Sequence, residues 1–178
     1  RLLSNLETLR YLSLNNNLIQ DSASLPNLPQ LRYLNLSNNK LTDFEGIPDY
    51  PNLTVLRASD NQITSIESLR GLRSLEVLDL TNNAIESLWP LTELVEIQEL
   101  FADNNQTSNI LPILYLPEIR TLSLEQNPIR FCPRGAWTRV QNQTLEMTPF
   151  LQSFCINQRK QELKSLVSFR SGHDKQPE

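Results

Sequence analysis

One histidine, two cysteines and four glycines are all that 178 residues contain of these types. The single imidazole, His173, excludes a histidine-based catalytic triad and a multi-histidine metal site. Two thiols and one imidazole are also too few ligands for a metal centre, so neither metal nor cofactor is expected. Cationic excess is missing as well. With 16 Lys plus Arg against 20 Asp plus Glu, and a net charge of −4, the chain lacks the means to hold nucleic acid by phosphate neutralisation. No run of roughly 18 apolar residues exists to span a bilayer, so no membrane partner is expected. A Gly-rich phosphate loop, a nucleophile elbow and a recognisable acid pair are all absent, which leaves an enzyme reading without a residue to carry it. The chain starts at Arg1 with no charged-then-apolar leader, and the expectation is a piece of a longer protein.

What the sequence does have is 33 leucines and 18 asparagines, a bias that calls for a search for internal repeats. Segments beginning at Leu9, Leu31, Leu53, Leu75, Ile97 and Ile119 align as six repeats, each 22 residues after the last. They read LRYLSLNNN, LRYLNLSNN, LTVLRASDN, LEVLDLTNN, IQELFADNN and IRTLSLEQN. The fourth position is always leucine. The sixth is leucine except at Ala58 and Ala102, and the ninth is always asparagine: Asn17, Asn39, Asn61, Asn83, Asn105 and Asn127.

The stretch x-L-x-L-x alternates with period two and so predicts a short strand burying one face. Parallel stacking at about 4.8 Å makes six strands a curved sheet of roughly 25–30 Å. The ninth-position amide can satisfy backbone groups of its own and the adjacent coil, which would otherwise cost about 1–3 kcal/mol each when buried. A second apolar series, such as Ile63, Ile66, Leu69 and Leu72, returns the chain. Prolines in these return segments disfavour long helices, so short helical or 3-10 turns are predicted there. Ser22 and Thr107 interrupt this apolar series, by local packing variation or as thin spots beside a binding site.

These lines resemble the leucine-rich repeat family over residues 3–131. The repeat length is similar to that of its short subclass, typified by a regulator of type-one protein phosphatase and by bacterial internalins. The resemblance implies an α/β solenoid with a parallel sheet on the concave side and short helical segments on the convex side. Leu3 and Leu6 fall in register with Leu69 and Leu72, so the chain opens halfway through a repeat. After Asn127-Pro128 the pattern stops; residues 132–170 are expected to form a C-terminal cap and amphipathic helix, of which 132–157 resemble the helical cap of intracellular members. Trp137, Val140, Phe150, Leu151 and Phe154 are its expected sealing residues. That cap normally has an Arg after its aromatic, where Thr138 stands here. Residues 158–170 read as an amphipathic helix with Leu163, Leu166, Val167 and Arg170 on one face, and 171–178 as a disordered tail.

Cys132 and Cys155 are read first as buried thiols in a reducing compartment, with one disulfide as the alternative. Four N-x-S/T sequons, at Asn35, Asn52, Asn105 and Asn142, read as chance matches in an Asn-rich chain.

The strand residues that do not face the core form columns on the concave side. Tyr11, Tyr33, Val55 and Val77 make an apolar stripe that the repeat does not require. Exposed aromatics on a rigid sheet suit an interface; ordinary strand propensity is the alternative. Charge is graded along the array, with Arg10, Arg32 and Arg57 against Asp60 in the first half and Glu76, Asp79, Glu99, Asp103 and Glu125 against Arg120 in the second, a solvated mixed-charge surface being the alternative. Complementary ends would steer a partner lying across the sheet. Tyr11, Tyr33, Val55, Arg57, Val77, Asp79, Glu99, Phe101 and Asp103 are therefore the expected protein-binding residues. Function is expected to be non-catalytic protein–protein interaction in a longer intracellular scaffold or regulator of cytoskeletal, spindle-pole or phosphatase-regulator type. A secreted or surface recognition domain is the alternative, as is a structural spacer or self-association module. Oligomeric state is open, with a monomer favoured.

Overall fold

The alternating L-x-L stretches become three-residue strands: β1 (Tyr11–Ser13), β2 (Tyr33–Asn35), β3 (Val55–Arg57), β4 (Val77–Asp79), β5 (Glu99–Phe101) and β6 (Thr121–Ser123). The computed structural model describes residues 6–47, 50–142 and 144–173. Leu3, the 174–178 end, and the side chains of Trp137, Val140, Gln141, Leu163 and 165–173, including Leu166, Val167 and Arg170, lie outside the described residues. The strands pair in parallel in chain order, in the register that puts Tyr11, Tyr33, Val55, Val77, Glu99 and Thr121 side by side. One side of this sheet buries Leu34, Leu56, Leu78, Leu100 and Leu122. Leu36, Leu80 and Leu124 join them, with Ala58 and Ala102 filling the same row.

Each strand ends in one left-handed residue at the eighth repeat position: Asn16, Asn38, Asp60, Asn82, Asn104 and Gln126, with φ between 51° and 59°. Asn and Asp tolerate this region better than other non-glycine residues, and only Gln126 departs from them. The ninth-position asparagine then bridges two coils. Asn83 Nδ2 donates to the carbonyls of Leu80 (2.9 Å), Thr81 (3.3 Å) and, one coil back, Ala58 (3.0 Å), while its Oδ1 accepts from Ile63 N–H (2.9 Å). Asn39, Asn61, Asn105 and Asn127 repeat the pattern. Asn17 is exposed, and among the described residues its amide donates only to Leu14 and Asn15 in its own turn.

The return segments carry 3-10 turns at Ser22–Ser24, Glu67–Gly71, Trp89–Glu93 and Leu111–Tyr115, as the prolines predicted. A second 22-residue ladder introduces the return segments. Asp21, Asp43, Ser65, Ser87 and Asn109 each accept from the backbone N–H two residues on, the local capping for which such side chains are selected. Ser22 and Thr107 are both buried, and their hydroxyls donate to the carbonyls of Glu45 and Ile85. In the second return segment two of the fully buried side chains are aromatic, Phe44 and Tyr50, beside Leu41, with the Tyr50 hydroxyl donating to Pro26 O at 2.9 Å. Gly46 there has φ +70°, and a Cβ on it would sit 2.6 Å from that of Ala23.

After β6 the chain forms α1 (Arg134–Gln141), a further strand β7 (Glu146–Met147) and α2 (Pro149–His173). Strand β7 extends the parallel sheet, pairing Glu146 with Thr121 and Met147 with Leu122. Arg139, two residues after Trp137, donates to the carbonyls of Leu116 (2.9 Å) and Ile119 (2.5 Å). Partial burial lowers its pKa from the ordinary arginine value. Leu145, Met147, Leu151 and Cys155 are buried in the same core.

Three expectations are corrected here. Cys132 and Cys155 are joined in a disulfide, Cα atoms 5.3 Å apart, not held as thiols. The two are 23 residues apart in sequence, and only the return of α2 onto the entry of α1 brings them together. Phe150 is 54% exposed, because it stands in the first turn of α2 while Leu151 beside it points inward; Phe154 is half-buried against the core. The helix read as starting near residue 158 begins at Pro149 and continues through His173, three residues into the expected tail. Among the described residues no helix is long and apolar enough to cross a membrane.

Candidate functional site

Because the strands hold one face to the core, the residues between the leucines point out from the concave sheet, and the parallel register stacks them into columns. Tyr11 and Tyr33, adjacent across β1 and β2, bring their ring centroids to 6.1 Å at a 33° tilt. Arg57, one strand on, places its guanidinium carbon 5.9 Å from the centre of the Tyr33 ring, within range of a cation–π contact. Tyr11 is 70% exposed, and Val55 and Val77 continue the stripe half-buried. An apolar surface of this kind, on a frame fixed by backbone pairing, presents contact area with little side-chain entropy left to lose.

The other expected site residues are placed differently. Phe101 is half-buried on β5, beside Asp79 of β4, three strands from Tyr33 and so about 14 Å away at the usual strand spacing. Glu99 is exposed and stacks next to Val77. Asp79 Oδ1 accepts from Thr81 N–H at 3.1 Å. Asp103 is committed internally, since its Oδ1 accepts from both Ser123 Oγ (2.5 Å) and Glu125 N–H (2.6 Å). It braces the neighbouring coil, a role the sequence reading missed because it depends on a contact 20 residues away.

Among the described residues Arg10, Arg32 and Arg57 have no ion pair; those of Arg70, Arg134 and Arg159 lie elsewhere, and that of Arg120 with Glu118 lies at the sheet's far rim. Sequence reasoning also passed over an exposed aromatic pair on the 3-10 side, Trp89 and Tyr115, with centroids 5.8 Å apart. Its signal was two aromatics in successive return segments. No group of three or more His, Cys, Asp or Glu is placed to hold a metal ion among the described residues.

A solenoid of parallel three-residue strands, joined coil to coil by an asparagine amide, defines a class of repeat protein, and the comparisons agree. The family model described as leucine-rich repeats in two copies matches residues 7–49 and 51–94. An internalin (inlC2) of Listeria monocytogenes is 31% identical, with a TM-score of 0.59, covering 80% of this chain and 72% of that one. Another Listeria monocytogenes internalin (inlF) is 29% identical at a TM-score of 0.64, over 80% of this chain. A leucine-rich repeat protein of Leptospira interrogans is 28% identical at a TM-score of 0.62, over 79% of this chain. The chain belongs to the leucine-rich repeat family. It spans about half of the internalin inlF (48%) and 37% of the Leptospira protein. No curated protein sequence matches it, and no enzymatic family is indicated.

Proposed function

We propose that this chain is a non-catalytic recognition domain that binds a protein partner on its concave face. The observation that carries the reading is the Tyr11–Tyr33–Arg57 cluster, in which half-buried Tyr33 touches exposed Tyr11 on one side and exposed Arg57 on the other, on a surface the fold does not need for its own packing. Aromatic and arginine side chains are the usual anchors of protein interfaces. A photo-crosslinker at Val55, between the cluster and β4, tests it. Adducts should form with one partner and disappear in the folded Tyr33→Ala, Arg57→Ala variant. Undiminished adducts from that variant would sink the site.

The setting we infer is an oxidising compartment, at a surface or outside the cell. The Cys132–Cys155 disulfide supports this, because such bonds persist where the glutathione pool does not reach. It speaks against the reduced-thiol argument for the second reading, an intracellular scaffold of cytoskeletal, spindle-pole or phosphatase-regulator type, which the 22-residue period and the resemblance of residues 132–157 to an intracellular cap support. Thiol counting under denaturing conditions, on protein recovered from its native source, separates the two. No reactive thiol supports export, and two reactive thiols support the cytosol.

A further inference from the structure

Resting on the concave-face reading, we propose that β1–β3 form a cationic, tyrosine-lined subsite for the acidic end of a bipolar partner segment, whose basic end lies over Asp79 and Glu99.

The outward columns of β1–β3 and their flanks present Arg10, Arg32 and Arg57 and no carboxylate. None of the three has an ion pair among the described residues: Asp79, the cross-strand neighbour of Arg57 and the start of the acidic half, accepts from Thr81 N–H at 3.1 Å, and Asp60 on the rim accepts from the Asn82 amide at 2.7 Å. A guanidinium offers a planar fork matched to a carboxylate, and Tyr33 beneath Arg57 supplies an apolar floor that excludes water from one side of such a pair. Beyond β3 the sign inverts. Glu76, Asp79 and Glu99 have no ion pair among the described residues, Asp103 and Glu125 lie further along, and Arg120 is the one cation among them.

The geometry sets the length of the ligand as well as its polarity. From β2 to β5 is three strand spacings, about 14 Å, which roughly four extended residues cover. A uniformly acidic segment would meet repulsion over β4–β5, and a uniformly basic one over β1–β3. Only a segment with opposite ends satisfies both halves, which is how charge gives specificity in preference to raw affinity.

The probe is a synthetic peptide of three glutamates, four neutral residues and three lysines, titrated into the full chain at low salt and followed by backbone amide shifts. Uniform glutamate and uniform lysine peptides of equal length serve as comparisons. The block peptide should bind at least about fivefold more tightly than either, with shifts across β1–β5, and lose that advantage as salt shortens the screening length. Arg32→Glu with Arg57→Glu should abolish the preference, and adding Asp79→Lys and Glu99→Lys should restore it, because the peptide then lies the other way round. Equal binding of the uniform acidic peptide, an unchanged affinity in the Arg32→Glu, Arg57→Glu variant, or no shifts with any peptide overturns the inference. Shifts on the sheet without a block preference would overturn bipolarity alone and leave the concave reading standing. Shifts confined to the 3-10 side would sink both.

Discussion

Asn83 and Asn17 occupy the same repeat position and do different amounts of structural work. The Asn83 amide holds three carbonyls and one N–H from two coils, whereas Asn17 serves only its own turn in water. Asn83→Ala is expected to cost about 2–4 kcal/mol, since four part-buried backbone groups lose their partner at once. Asn17→Ala should cost under about 1 kcal/mol, and urea unfolding measures both. Tyr50 is a second residue with a distinct signature. Burial of its ring raises the hydroxyl pKa from 10.0 to about 12. The fold therefore favours the protonated form. This contribution is complete below the unfolded value near 10 and is lost as pH rises through the folded value near 12. Tyr50→Phe should remove that alkaline step from the pH–stability curve, at a cost of about 1 kcal/mol at neutral pH for the lost bond to Pro26 O. Equal alkaline sensitivity in the variant would assign the step elsewhere.

At the scale of elements, the six strands and the Asn ladder were legible because one period, kept without insertion, repeats both the buried leucines and the amide. The capping ladder obeys the same period but hides behind changing chemistry, Asp, Asp, Ser, Ser and Asn, joined only by what their oxygens accept. Strand β7 was not legible. Glu146-Met147 follows Thr121-Leu122 by 25 residues, out of phase, after an inserted helix and without the L-x-L pattern. Of the site, the Tyr11, Tyr33 and Arg57 cluster could be read from aligned columns, while the internal duty of Asp103 could not. The disulfide ties the entry of α1 to the second turn of α2, closing a separation of 23 residues. A loop of that size corresponds to about 3 kcal/mol in the chain-entropy account. Cys155→Ser, with Cys132→Ser, should therefore lower stability by up to about 3 kcal/mol. The loss should appear in hydrogen exchange first at β7 and α2, with β1–β4 protected as before.

The whole molecule is a line of coils in which each touches its neighbours, so damage should spread by position. Leu78→Ala, at a fully buried site in β4, is expected to cost about 2–5 kcal/mol. Because β4 sits mid-array, exchange protection should fall in the flanking coils on both sides. The same change at Leu122, near the end of the sheet, should loosen β6 and β7 while the first coils keep theirs. Uniform loss in both variants would mean that the array unfolds as one cooperative unit.

The split between inward and outward side chains has a consequence for how such a protein changes its target. Leucines and amides hold the frame, while Tyr11, Tyr33, Arg57 and Glu99 accept no structural task that another side chain could not leave undone. Those positions can be rewritten one at a time, and new specificity can accumulate without passing through unfolded intermediates. Asp103 is the exception, since its carboxylate is tied to Ser123 and Glu125. Any lineage that retargets this surface should be seen to vary around it.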